Sequence, residues 1–289
     1  MKAVAFSPGH ISGFFEPVYD KQDLSKTGSR GAGINLTLGA ISEVSLFDAK
    51  KQIFEIFINN KKINSPIIEL SLRYLIGDRP CKVVVNTELQ LPPGQGFGMS
   101  SASALSSTYA LSKIIGIQKT DAIKASHFAE IQLKTGLGDV MASSFGGVEI
   151  RKEAGLPPWG IIEHIPGKFD LVLGVIGKEL DTKKILSDPK KVDNISIYGK
   201  FCCKKLLEKP SIENFFTLSK YFTEKTNLVE KNVLKAINTV NKFGMASMCM
   251  LGNSIFAAGD LEKLCSVLTP MASVYICSVD ECGARVIEI

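Results

Sequence analysis

Lys2 to Phe6 alternates toward apolar side chains and breaks at Ser7, Pro8 and Gly9, the pattern of a strand running into a tight loop. A glycine-rich stretch at residues 27–33 (TGSRGAG) precedes Ile34 to Leu46, whose alternation predicts a second strand. Gln52 to Asn59 alternates strictly, and Cys81 to Leu91 predicts a further strand ending at Pro92 and Pro93. The first 90 residues therefore read as mainly β. After the loop Pro93 to Met99, the run Ser100 to Ile115 is rich in Ala, Ser and Leu without Gly or Pro, and predicts a helix that Gly116 stops. Thr120 or Asp121 can cap a second helix from Ala122 to about Lys134, which Gly136 and Gly138 end, and Gly147 to Arg151 predicts a short strand.

The segment AGLPPWG at residues 154–160 is a rigid, turn-rich crossing and sets the expected boundary between an N-terminal domain, 1–160, and a C-terminal domain, 161–289. Beyond it the pattern predicts a strand at Phe169 to Ile176, Lys-rich helical segments and β structure at Met245 to Phe256. A helix near Leu261 to Leu268 and strands at Val274 to Val279 and Ala284 to Ile289 complete the half. Strands with intervening helices imply an α+β protein of two domains. The length of 289 residues accommodates that.

Hydrophobic residues at 45% and charged residues at 22% exclude disorder and coiled-coil composition. The net charge of +5 is local: Lys178 to Lys242 holds 14 Lys and 8 acids with no Arg, the mark of solvated helix faces rather than of a nucleic-acid surface. Seven Cys without CxxC spacing read as reduced, mostly buried thiols, and no apolar run approaches a membrane span, so a cytoplasmic protein is expected. An exposed edge or apolar helix in the second half leaves room for a homodimer.

The densest chemistry lies in LPPGQGFGMSSASAL, Leu91 to Leu105. Gly94, Gly96 and Gly98 let backbone N–H groups approach an anion, the following helix aims its positive end at the same place, and Ser100 or Ser101 can ligate Mg2+ or bond a phosphate oxygen. Further on, His127, Glu130 and Lys134 share one helix face, which by spacing alone reads as a solvated stripe, and TGLGDV places Asp139 on a loop fixed by two glycines. Arg30 and Arg151 are scarce arginines beside glycines. Each suits a carboxylate fork or a surface ion pair.

The order Pro, Gly, Gly, Gly, Ser, Ser, Ala between a strand and an Ala-rich helix resembles the signature of the galactokinase, homoserine kinase, mevalonate kinase and phosphomevalonate kinase (GHMP) superfamily. Aligned without gaps, Phe97 stands for its Leu, Met99 for its first Ser, and Ser100 for the second, magnesium-binding Ser. Ser101 then takes the Ala position. SPGHISGFFEP, KTGSRGAG, AEIQLKTGLGDV and GGVEIRKEAGLPPWG are similar to the archaeal pantoate kinases in particular, whereas MLGNSIFAAG, centred on Gly252, is a weaker match to the third superfamily motif.

The resemblance implies a domain like the second domain of ribosomal protein S5, followed by a ferredoxin-like domain, with ATP and Mg2+ as cofactors and D-pantoate phosphorylated on its 4-hydroxyl. It assigns Pro93, Gly94, Gln95, Gly96, Phe97, Gly98, Met99, Ser100 and Ser101 to the nucleotide, Ser100 and Glu130 to the metal, and Asp139 to catalysis. His10, Ser29, Arg30, His127 and Arg151 would face the acid. Several superfamily members carry Lys where this chain has His10, which either takes part in the reaction or holds its loop. Another GHMP kinase acting on mevalonate, homoserine or a sugar, an S5-like nucleic-acid module and a non-catalytic nucleotide sensor remain as rivals.

Overall fold

The N-terminal alternation runs further than its punctuation suggests. In the structure, a computed structural model describing residues 1–180 and 182–289, β1 (Lys2–Val18) passes through Ser7, Pro8 and Gly9 instead of ending there, and the glycine-rich stretch opens β2 (Gly28–Asp48). The two pair antiparallel from Lys2 opposite Ser45 to Val18 opposite Gly28, and a register shift between Pro8 and Gly9 absorbs the proline that a regular ladder would reject. A second shift falls between Ser12 and Phe14.

β3 (Ile53–Ile58) and β4 (Lys61–Lys62) lead to α1 (Pro66–Ile76), a helix absent from the mainly-β reading, with Pro66 at its first turn and Ile68 and Leu72 fully buried. Next come β5 (Cys81–Leu89), α2 (Met99–Ile115), α3 (Lys119–Leu133), α4 (Asp139–Phe145), β6 (Val148–Glu153) and β7 (Ile161–Ile165). Helix α2 is buried along almost its whole length. Its small Ala and Ser side chains allow that, because the hydroxyls are satisfied internally: Ser107 donates to the Ser103 carbonyl at 2.7 Å, and Ser106 lies 2.7 Å from Ser42 of β2.

The second half supplies β8 (Asp170–Val175), α5 (Thr182–Leu186), α6 (Pro189–Glu208), α7 (Ile212–Thr226), α8 (Lys231–Val240), β9 (Gly244–Met248), β10 (Ser254–Gly259), α9 (Leu261–Leu268), β11 (Ser273–Ser278) and β12 (Arg285–Glu288). The continuous β pattern expected at Met245 to Phe256 is a hairpin, β9 and β10. Four antiparallel strands in the order β11-β8-β10-β9 make a ferredoxin-like sheet. The other sheet runs β12-β1-β2-β5-β3-β4, with β6 attached to β2 and β7 to β6. The chain changes sheet between Ile165 and Asp170, just past the turn at 154–160, and the last strand returns to β1.

The two halves share a core. Phe14 of β1 packs on Phe215 and Phe222 of α7 at ring separations of 6.2 and 6.5 Å, and Phe215 continues to Phe256 of β10 at 5.9 Å. That contact locks the first strand, and the residues it carries, against the second domain. Lys190, Lys191, Lys200, Lys204 and Lys205 of α6 are exposed while Cys202, Cys203 and Leu206 face inward. Among the described residues no helix is long and apolar enough to cross a membrane.

Candidate active site

Gly94, Gly96 and Gly98 all adopt left-handed backbone, at φ of 70°, 75° and 64°, a region that costs other residues about 1–2 kcal/mol. This conformation turns the chain from β5 into α2, with Gly98 as the cap residue. The first intrahelical bond joins Ala102 N–H to the Gly98 carbonyl at 2.9 Å, so the amides of Met99, Ser100 and Ser101 have no partner within the helix. Both domains hold the loop: His10 N–H donates to the Phe97 carbonyl at 2.9 Å and the Ser254 hydroxyl to the Gln95 carbonyl at 2.5 Å. Gly252 packs its Cα against the Gln95 backbone, which gives the weak C-terminal motif a role as support for this loop.

Glu130 is fully buried, not solvated, because α3 packs beneath α2 and α4. Its Oε1 accepts from the Ser101 hydroxyl at 2.5 Å, whereas Oε2 has no partner. Burial, and secondarily the charge of Asp139, push this carboxyl up to about 8. Asp139 lies close by across Gly136, as the first residue of α4 rather than on a loop. Its Oδ1 is 2.7 Å from His10 Nδ1, and about a quarter of its side chain is open to the cleft. Burial works to raise its pKa, but the hydrogen bond and charge of His10, with Arg151 beyond, hold it below the usual carboxylate range.

Behind Asp139 a buried network continues through His10, whose Nε2 is 2.7 Å from Glu149 Oε1. Arg151 also donates through Nη1 to that oxygen, while its Nη2 donates to Ser12 Oγ at 3.1 Å. Burial opposes protonation of His10, yet its bonds to Asp139 and Glu149 outweigh it and raise the imidazole pKa. Arg151 Nε is buried without a partner, next to Ser29 Oγ where Gly138 passes with no room for a Cβ.

These elements enclose one cleft. The loop with Ser100 and Ser101 forms one wall and residues 135–139 a second. Ser12, Phe15 and Ser29 come from the first hairpin, and Thr182, Lys183 and Met250 close the side of the second domain. Of the expected residues, the glycine loop, both serines, Asp139 and Ser29 line the cleft, while Glu130 lies buried against Ser101 and Gly136 and Arg151 Nε against Gly138. Arg30 does not line the cleft: its Nε donates to the Lys152 carbonyl at 2.8 Å and its Nη1 to Glu16 at 3.3 Å. His127 is fully buried with Nε2 3.3 Å from the Leu24 carbonyl, and burial pushes it down to about 4. His10 is enclosed behind Asp139.

Sequence reasoning missed Ser12, Phe15 and Glu149. Glu149 and Arg151 alternate with Val148 and Ile150 along β6, a pattern that reads as a solvated strand face and is instead covered. The residues fit a nucleotide and its magnesium, since an orphaned buried carboxylate oxygen, a cleft-lining hydroxyl and free helix-end amides converge. Among the described residues no cluster of three or more His, Cys, Asp or Glu is placed to hold a metal ion.

Residues 65–147 match the family model of the GHMP kinases N terminal domain. The chain is 31% identical to a pantoate kinase of Methanocaldococcus jannaschii over 95% of its own length and 99% of that protein. It is 31% identical to a pantoate kinase of Thermococcus kodakarensis, covering 94% and 93%. A solved phosphotransferase related to the CoA biosynthesis pathway superposes with a TM-score of 0.90 at 28% identity over 99% of both chains.

Proposed function

The chain belongs to the pantoate kinase family of the GHMP kinases, and from that membership we propose that it transfers the γ-phosphoryl group of ATP to the 4-hydroxyl of D-pantoate. The products are 4-phosphopantoate and ADP, a step of coenzyme A biosynthesis. The observation that carries the reading is the unpartnered Nε of buried Arg151, which lies against Gly138 beside Ser29, both of them residues of the cleft that Asp139 shares with the glycine loop. A small acid can satisfy that donor, and a neutral sugar has no charge to offer it.

In this reading the loop from Pro93 to Ser101 binds the phosphates through backbone amides and the positive end of α2. The pantoate carboxylate meets Arg151 Nε, Ser29 and Ser12, which directs the far hydroxyl toward Asp139. Asp139 orients that hydroxyl and accepts its proton as the oxygen attacks the γ-phosphorus, and the bond from phosphorus to the bridging oxygen of ADP breaks in line. Glu130 Oε2 and the Ser100 hydroxyl would hold Mg2+, while Ser101 steadies the other oxygen of Glu130. When bound, Mg2+ neutralises phosphate oxygens as charge moves onto ADP. The buried, unpaired cysteines at 81, 202, 203, 249 and 277 support a reducing, cytoplasmic setting.

ADP release from Mg-ATP, measured side by side with pantoate, pantothenate, mevalonate, homoserine and galactose, tests the proposal. Turnover with pantoate far above the other four is expected. Preference for mevalonate, homoserine or galactose would reassign the substrate.

A further inference from the structure

The proton count around His10 is more restrictive than its distances alone. Apart from His10, Glu149 accepts from two groups that can only donate, Arg151 Nη1 and the Gly33 N–H at 3.0 Å on Oε2, and Arg151 Nη1 also lies 3.3 Å from His10 Nε2. The 2.7 Å contact to the Glu149 oxygen that already accepts from Arg151 is shorter than the 3.3 Å contact to Arg151 itself, and it places a proton on Nε2. Asp139, at 2.7 Å on the other side, requires one on Nδ1. Satisfying both makes His10 an imidazolium that donates from each nitrogen.

The ring is tightly enclosed. It is 1% exposed, and a Cβ at Gly33 would collide with Nε2 and lie 2.9 Å from Glu149 Oε1, so Gly33 leaves room only for this pairing. On its main-chain side His10 donates to the Phe97 carbonyl, and Gly98 packs against its backbone. One residue therefore ties the phosphate loop to one oxygen of Asp139. It does not line the cleft, and it reaches the substrate side through Asp139 and, 3.3 Å from Nε2, through Nη1 of Arg151.

We infer that His10 and Glu149 are positioning residues: held by Glu149, the His10 ring pins Oδ1 of Asp139 at a fixed place relative to the phosphate loop, leaving Oδ2 for the substrate hydroxyl. The inference rests on the reading of Asp139 as the group that meets that hydroxyl. Arg151 links this support to the acid-binding edge through Ser12, so the groups that seat the two ends of the substrate share one buried frame.

Asparagine and glutamine separate the two ring nitrogens, because Asn places its amide nitrogen where Nδ1 stands and Gln places it where Nε2 stands. With wild-type melting behaviour in both, His10→Gln should lose about 100-fold in kcat and His10→Asn about tenfold or less, since a misplacement on the order of 1 Å costs that much. KM for ATP and for pantoate should stay within about threefold. In an Asp139→Asn background His10→Gln should cost less than about threefold more, because its effect passes through the missing carboxylate. Equal losses in the two single variants, or additive losses in the double variant, would overturn the assignment.

Wild-type protein labelled with 15N-histidine gives a second measurement that needs no substitution. One of the three histidines should keep protons on both ring nitrogens above pH 6.5, where a free imidazole loses one, and three neutral rings there would sink the idea. A wild-type protein that releases no ADP with pantoate would overturn the substrate assignment instead, and the ring protonation would still report on His10.

Discussion

Ser101 donates its hydroxyl to Glu130 at 2.5 Å, joining the first turn of α2 to a carboxylate buried on α3. This bond occupies Oε1 and leaves the buried Oε2 without a partner. Both serines lie along the cleft, but Ser101 is buried and spent on Glu130, whereas Ser100 is half-buried.

Ser100→Ala should therefore raise the Mg2+ concentration needed for half-maximal rate more than Ser101→Ala does. Ser101→Ala should instead lower stability by about 1 kcal/mol, the usual worth of a buried hydrogen bond. A magnesium titration and a urea melt of each variant decide between them, and a larger magnesium effect in Ser101→Ala would exchange the roles.

Glu130→Gln keeps the shape of the side chain but replaces a carboxyl that can ionise against a metal ion with an amide that cannot. The magnesium requirement should rise at least about tenfold while KM for pantoate changes little. An unchanged titration would remove Glu130 from the metal.

Arg151→Ala would strip a buried carboxylate, Glu149, of one of its two cationic partners and cost on the order of 3 kcal/mol of stability, obscuring any effect on binding. Arg151→Lys retains the charge and loses Nε. KM for pantoate should rise about 10- to 100-fold with KM for ATP nearly constant, as expected for one lost charged hydrogen bond of about 1.5–3 kcal/mol. Parallel changes in both KM values would place Arg151 in the frame alone.

His127 provides a pH signature. Its ordinary pKa of 6.5 falls to about 4 through burial, so the unfolded chain binds the proton more readily. Its contribution is complete above pH 6.5 and is lost as pH falls toward 4, a decrease of up to about 3 kcal/mol. Urea melts between pH 7 and 4 should show His127→Gln gaining on the wild type as pH drops. A constant difference across that range would mean that the ring is not held neutral.

What the sequence made legible is what neighbours along the chain determine. The prolines, the three glycines and the Ser/Ala helix behind them are a local program, and the loop and α2 follow it with a one-residue difference at the helix start. Glu130 was obscured because its burial comes from α4 and from Ser101, distant in sequence, while spacing alone made its helix face look wet. Arg30 and Arg151 look alike as arginines beside glycines. They part because Glu16 and the Lys152 carbonyl engage Arg30, whereas Arg151 is drawn in by Glu149 and keeps one donor unspent. β1 continues through Pro8 because a register shift needs a partner strand, and no window of one strand contains that information.

The position of phosphoryl transfer can be read directly from the product. Pantoate carries its 4-hydroxyl on a methylene and its 2-hydroxyl on a methine, so proton-coupled phosphorus NMR separates the two esters. With Mg-ATP and D-pantoate we expect one equivalent of ADP and one phosphomonoester whose phosphorus signal is a triplet. A doublet, or ADP formed with inorganic phosphate and no ester, would contradict transfer to the 4-hydroxyl.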